Sequence, residues 1–305
     1  MVLAYAHLKC PNPSLPERGM RAYIMNTVTS ITQFADLISA FTASHTPVQT
    51  NCFLWPEELR TLIEGGGVRY LQCVDDLLFG VAEQGYSRLF YYTATLAPVD
   101  PARLVALSPD RQPIILDLIT RSSAAASAPP IQDKWLSSGF HVYGRFQRMR
   151  RTARENLSAE HLAALDGDYR IERHDMNRLP FIQALWAQCL DPYSTPLPTA
   201  DALSAPLAEG HITYLLTADD ILCAAMMARP HGKKVTIQHV SVHPDYRRRG
   251  LARRLLTASM QADQAENTTE WMLWVDEKNH PAIQLYHSLG FVPDGMISVQ
   301  LMLQP

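Results

Sequence analysis

One stretch narrows the folds open to this chain more than any other. KKVTIQHVSV (233–242) is rich in β-branched residues and reads as a strand. After His243-Pro244-Asp245-Tyr246-Arg247-Arg248-Arg249 the chain enters a helix at Gly250, with Leu251, Leu255, Leu256 and Met260 at helical spacing. A strand that passes this directly into a helix leaves the first amides of the helix without partners. Those N–H groups, aided by the helix dipole, form a binding site for phosphate oxygens. Gly250 and the small Ala252 let the backbone come close to a pyrophosphate, where a longer side chain would stand in the way. The stretch therefore asks for an α/β domain with an anion site where one strand ends.

The residues around it continue that pattern. Ahead of it come YRIERH as a strand, NRLPFIQALWAQCLD as a helix with Leu179, Ile182, Leu185, Trp186 and Cys189 on one face, the loop DPYSTPLP (191–198), a second helix over about 200–209, and the strands HITYLLTA and ILCAAMMARP. Behind it come the strand EWMLWVD, a helix in HPAIQLYHSLG and a strand region FVPDGMISVQLMLQ. Arg247, Gly250 and Ala252 fit the pattern Arg or Gln, two residues, Gly, any residue, Gly or Ala, and Val242, His243, Pro244 and Tyr246 lead into it. Asn279, Ala282, Leu285-Tyr286 and Leu289-Gly290-Phe291 follow in a second motif. With both motifs in this order and at this spacing, residues 169–305 resemble the GNAT superfamily of N-acetyltransferases, the first motif being its acetyl-CoA pyrophosphate loop. A basic helix start in an unrelated α/β fold is the plain alternative for the first motif taken alone.

The resemblance implies direct transfer of acetyl from acetyl-CoA to an amine, with no acyl-enzyme and no metal. Such chemistry needs a polarised carbonyl, a neutral amine, a stabilised oxyanion and a proton for the departing thiolate. By the resemblance, the backbone of Val240, Ser241 and Val242 hydrogen-bonds the acetyl carbonyl and pantetheine. The loop and helix start through Arg247, Arg248, Arg249, Gly250, Leu251, Ala252 and Arg253 holds the pyrophosphate. Tyr286 stands at the family's general-acid position, its phenol O–H a donor for the sulfur; an isolated tyrosine on an amphipathic helix is otherwise a packing residue. Asn279 contacts the cofactor in the family, and as a helix N-cap it needs no such role. For the base, His239 is the candidate side chain, with Gln238 beside it, His243 just beyond and a water-mediated route as the alternative. Strand alternation lets at most one of Gln238 and His239 face the acceptor, and a lone strand histidine is more often a core residue.

A chain of 305 residues is twice the usual domain, so two domains of about 150 residues are expected. In the earlier part, 26–43 has helical spacing with Thr27 or Thr29 as cap, and 56–63 reads as a short helix before Gly65-Gly66-Gly67. VRYLQCV, LLFGVAEQ and SRLFYYTATL form a meander, and PIILDLI is a buried strand. SSAAASAPP reads as a loop, and Trp135-Leu136-Ser137-Ser138-Gly139-Phe140 echoes Leu289-Gly290-Phe291. APVDPARLVALSPDRQ has no glycine and no phosphate-loop pattern. The expected organisation is an irregular tail over 1–25, a degenerate GNAT-like domain without a CoA loop over 26–150, a linker over 151–168 and a catalytic domain over 169–305. Each domain is expected as α/β (α+β), a mixed, largely antiparallel twisted sheet flanked by helices. The basic run Arg148, Arg150, Arg151, Arg154 could take an anionic partner, but reads more simply as a solvated face.

Bulk properties bound the rest. With 47% hydrophobic and 19% charged residues the chain is globular, and a formal net charge of −3 gives no electrostatic reason to expect nucleic acid or an anionic membrane as partner. No run approaches the ~20 apolar residues of a membrane span, and MVLAYAHLKCPNPSLPERG has no basic leader. Five scattered cysteines without a CxxC pair argue against a disulfide framework or a zinc site and for the cytoplasm. The expected partners are acetyl-CoA and a small-molecule amine; a homodimer stays open. The rival readings are an acyl-CoA sensor without catalysis, transfer of a longer acyl group, and acetylation of a protein or peptide.

Overall fold

The structure is a computed structural model, and it describes residues 26–52, 56–108, 111–121, 130–153, 169–265 and 267–305. The expected tail over 1–25, nearly all of SSAAASAPP and most of the expected linker, Arg154 included, lie outside the described residues. Two compact units are present: Met1–Leu116 with Ala128–Phe140 and Leu303–Pro305, and Asp117–Ser127 with His141–Met302. No helix among the described residues is long and apolar enough to cross a membrane.

The first unit contains β1 (Asn26–Thr27), α1 (Ile31–Ser44), β2 (Gln49–Thr50), α2 (Pro56–Glu64), β3 (Val68–Gln72), β4 (Asp76–Ala82), β5 (Ser87–Thr93), α3 (Pro101–Ala106), the start of β6 (Ile114–Arg121) and α4 (Pro130–Ser137). Its strands lie in the order β1-β3-β4-β5-β6. Phe34 and Phe41 of α1 pack with Val68, Leu77, Phe79, Val81 and Phe90 of the sheet. The cap of α1 is Ser30 rather than Thr27 or Thr29: its hydroxyl accepts from Gln33 N at 3.1 Å, while Gln33 Oε1 accepts from Thr29 N at 2.7 Å. The sequence reading passed over α3, although Asp100 caps it and Pro101 stands at its first turn.

One edge of β5 is filled by β4, from Asp76↔Thr93 to Ala82↔Ser87. On the other edge β6 pairs in parallel only at Ser87↔Ile114 and Arg88↔Ile115. Beyond that the strands part, and the opening is taken by the chain itself. The buried Asn51 donates from Nδ2 to Leu89 O at 3.0 Å and accepts at Oδ1 from Tyr91 N at 2.8 Å. β2 then pairs Thr50↔Tyr92 and Gln49↔Thr93.

The second unit contains β7 (His141–Thr152), β8 (Tyr169–Glu172), α5 (Leu179–Cys189), α6 (Ala200–Ala208), β9 (Ile212–Thr217), β10 (Leu222–His231), β11 (Lys234–Val242), α7 (Leu251–Ala265), β12 (Glu270–Asp276), α8 (His280–Ser288) and β13 (Val292–Leu303). Its sheet order is β13-β7-β12-β11-β10-β9-β8. Here the compact unit departs from the sequence interval 26–150 read as the first domain. β7 is an interior strand of the second unit, antiparallel to β12 on one side and to β13 on the other, with Met149 fully buried. Trp271, Leu273 and Val275 alternate into one covered face, where α7 and α8 contribute Leu251, Leu255, Leu256, Met260 and Tyr286. The opposite face of β9 and β10 is covered by Ile182, Leu185 and Trp186 of α5 with Leu203 and Leu207 of α6.

Candidate active site

β11 and β12 run parallel but pair only at Lys234↔Glu270, Val235↔Trp271 and Thr236↔Met272. Among the described residues the edge of β11 toward β12 has no strand partner from Ile237 onward, so a row of backbone donors and acceptors borders an opening between the two strands. Val240, Ser241 and Val242 lie on that row.

The strand is also bulged there. Ala225↔Ser241 and Met227↔Gln238 are consecutive pairs with β10, so two residues of β11, His239 and Val240, lie opposite the single Met226. His239 has φ +52°, a left-handed conformation unusual for a non-glycine residue. The bulge resets the alternation: Val235 and Ile237 share a face with Val240 and Val242, while the His239 ring packs on Trp186 of the opposite face, centroids 4.9 Å apart. Gln238 pairs with Met227, which belongs to that same opposite face. The expectation that at most one of Gln238 and His239 faces the acceptor rested on strict alternation; the bulge breaks that alternation and sets both residues on the face of Trp186. Burial, with the charge of Arg229 second, pushes the His239 pKa down to about 4. Its Nδ1 is buried without a hydrogen-bond partner among the described residues.

At the end of β11, Val242 O accepts from Arg247 Nε at 3.2 Å and from Cys189 Sγ at 3.7 Å. The chain then makes a short 3₁₀ turn, Pro244–Tyr246, capped by His243, and alternates to left-handed φ at Arg248 (+61°) and Gly250 (+73°) before α7 begins. Alternation of this kind turns successive N–H groups toward a common point, and the first amides of α7 add to it. Arg247, Arg248 and Arg249 are exposed around the cradle, and the Arg249 guanidinium lies 5.2 Å from the Tyr246 ring centre. Leu251 is buried, as an anchor for the helix start, and Arg253 donates to Ser288 Oγ at 2.8 Å, tying α7 to the end of α8.

Tyr286 lies on α8 within the cluster that includes Val240, Val242, Tyr246, Leu251 and Ala282. It is 8% exposed, and burial pushes its phenol up to about 12, so it keeps its proton at neutral pH. Asn279 caps α8, its Oδ1 accepting from Ala282 N at 3.2 Å. The structure thus brings Tyr286 and the β11 backbone together on one face and sets His239 with Trp186 on the other. Residues the sequence reading left out are Trp186 beside His239, which looked like core, and Tyr143, which meets Asp191. A cavity of about 460 Å³ bounded by Ile171, Glu172, Arg173, His174, Asp175 and Tyr214 contains none of the candidate residues.

The first unit repeats part of this geometry. Trp135 and Phe140 form an edge-on ring pair at 5.8 Å, as Tyr286 and Phe291 do at 5.9 Å, and Gly139 and Gly290 both have positive φ.

Residues 179–291 match the model of the Acetyltransferase (GNAT) family. Among curated proteins, the [Ribosomal protein bS18]-alanine N-acetyltransferase of Salmonella typhimurium is 36% identical over 85 residues, 27% of this chain and 56% of that protein, so the match spans about half the relative's length. The enzyme of the same name from Escherichia coli K12 is 33% identical over 85 residues, again 27% and 56% of the two chains. In fold the chain is similar to a GCN5-related N-acetyltransferase from Sphaerobacter thermophilus, with a TM-score of 0.56 at 15% identity over 92% of this chain and 96% of that one. It is also similar to a tandem GNAT protein from the clavulanic acid biosynthesis pathway, with a TM-score of 0.51 at 12% identity over 87% and 86%.

Proposed function

Because residues 179–291 match the model of the Acetyltransferase (GNAT) family, we propose that this protein transfers acetyl from acetyl-CoA directly to an amine, in the second unit alone. The observation that carries the reading is the unpaired edge of β11 leading into the left-handed turn and the start of α7. An extended amide-bearing chain ending in a pyrophosphate fits both halves of that surface: it can pair with the strand edge and end on the amide cradle. Acetyl-CoA supplies the acetyl thioester. Val240, Ser241 and Val242 orient its amides and carbonyl, Arg247 to Arg253 hold its phosphates, and Asn279 fixes the start of the helix that carries Tyr286. Tyr286, kept protonated by burial, gives its proton to the sulfur. His239 is neutral at physiological pH but, with a pKa of about 4, is a weak acceptor; proton removal from the amine runs through water.

The acceptor is a small-molecule amine in this reading. A second reading, the α-amino group of a protein, draws support from the name of the curated relatives. Release of CoA measured against a panel of small amines and alanine-initiated peptides, for wild type and Tyr286→Phe, tests both. Acceptor-dependent turnover that drops at least ~10-fold in the variant supports transfer with Tyr286 as acid. Turnover only with peptides selects the second reading, binding without turnover selects a sensor, and absence of acetyl-CoA binding removes the assignment.

A further inference from the structure

Within the second unit, the ladder between β7 and β13 passes from Gly144↔Gln300 to Val142↔Leu301, leaving Tyr143 as a bulged residue. Bulges re-aim side chains and recur beside active sites. The Tyr143 hydroxyl donates to Asp191 Oδ2 at 3.0 Å, and its ring meets that of Tyr193 edge-on, centroids 5.9 Å apart. The place of this contact follows from the strands. β7 is antiparallel to β12, pairing Phe146 with Asp276, so Tyr143 lies past the carboxy-terminal end of β12. Asp191 follows α5, whose Cys189 reaches Val242 O at the carboxy-terminal end of β11. Tyr143 and Asp191 therefore join the two flanks of the β11–β12 opening at its wide end.

The Asp191 carboxylate is held in one orientation. Oδ2 accepts from the Tyr143 hydroxyl, from Ser194 N at 3.2 Å and, in a short bond, from the Ser194 hydroxyl, while Oδ1 accepts from Tyr193 N at 3.3 Å. All four donors are neutral, so they fix the group without cancelling its charge. Among the described residues no lysine, arginine or histidine forms an ion pair with it. A carboxylate fixed by one phenol hydroxyl and its own loop, beside a second phenol ring and with no ion-pair partner among the described residues, is an environment that attracts a cation.

We propose that Asp191, framed by Tyr143 and Tyr193, recognises a positively charged group on the acceptor, so that the acceptor class is an amine carrying a second ammonium group. This rests on the acetyltransferase reading of the same unit. The test compares 1,4-diaminobutane with butylamine, alike in length and differing in the second charge, as acceptors for wild type, Asp191→Asn and Tyr143→Phe. The readout is the ratio of the two kcat/KM values within each protein, which a general loosening of the loop would leave unmoved because it lowers both. Wild type is expected to favour the diamine about 10-fold, the ratio falling to near one in Asp191→Asn and part of the way in Tyr143→Phe. A wild-type ratio near one, or a preference that survives in Asp191→Asn, overturns the proposal. Should neither amine be acetylated, calorimetric titration of both into the CoA-saturated protein decides. Tighter binding of the diamine that is lost in Asp191→Asn upholds recognition, and its absence overturns it. Failure of the acetyltransferase reading shows separately, as acetyl-CoA that does not bind.

Discussion

His239 shows how far a residue's chemistry is set by its backbone. On a regular strand its ring would point into the face of Tyr286; the bulge and the positive φ turn it onto Trp186, where burial holds it neutral. A folded pKa of about 4 lies below the ~6.5 of an unfolded histidine, so the unfolded state binds the extra proton. The associated stability is fully present above about pH 6.5 and is lost as pH falls toward 4, in total on the order of 3 kcal/mol. Replacing His239 with Gln should flatten the decline of the melting temperature between pH 7 and 4.5 relative to wild type; parallel curves would mean that the ring is solvated. At pH 8 the same variant should lose less than about 10-fold in kcat, whereas a general base at this position would cost 100-fold or more. None of this could be read from the sequence, since a histidine in an apolar strand gives no sign of a positive φ. The turn proposed to hold the phosphates was legible because it is local, with Arg247, Gly250 and Ala252 close in the chain and the structure bending at Arg248 and Gly250.

The two strand openings show the same element put to different uses. Beside β11 the backbone edge has no partner strand among the described residues, and beside β5 the equivalent edge is closed by Asn51 and β2. The lack of glycine in APVDPARLVALSPDRQ is what makes the sequence read as a first half without a CoA loop. That the chain fills the groove itself is not legible there, because residues 49–51 and 89–93 meet only through tertiary pairing. Two expectations follow at this scale. Calorimetry should count one acetyl-CoA per chain, and a second equivalent binding with similar affinity would show that the β5 edge can open. Asn51→Ala should lower stability by roughly 1–3 kcal/mol for each backbone group it leaves buried and unpaired, seen as an earlier denaturant midpoint; an unchanged midpoint would mean that water reaches Leu89 O and Tyr91 N.

At the scale of the molecule, chain order and compact units do not coincide. Helical periodicity and the succession of strands made residues 169–305 look complete, because local patterning reports that an element forms and not which strand it joins. In the structure β7 comes from the earlier part of the sequence and supplies the second unit with an interior strand, bonded on both edges, with Met149 fully buried and Arg151 3% exposed. A chain beginning at Tyr169 would retain every residue of both sequence motifs yet leave β12 and β13 with unpaired edges and Trp271 and Leu273 without the residues they face on β7. Exposed strand edges flanked by apolar side chains favour association over folding. Residues 169–305 expressed alone should therefore show no cooperative thermal transition and should aggregate, while a chain beginning at His141 should regain a transition and acetyl-CoA binding. A cooperative, monomeric 169–305 fragment would mean that β12 and β13 can close on each other and that β7 is dispensable to the architecture of this unit.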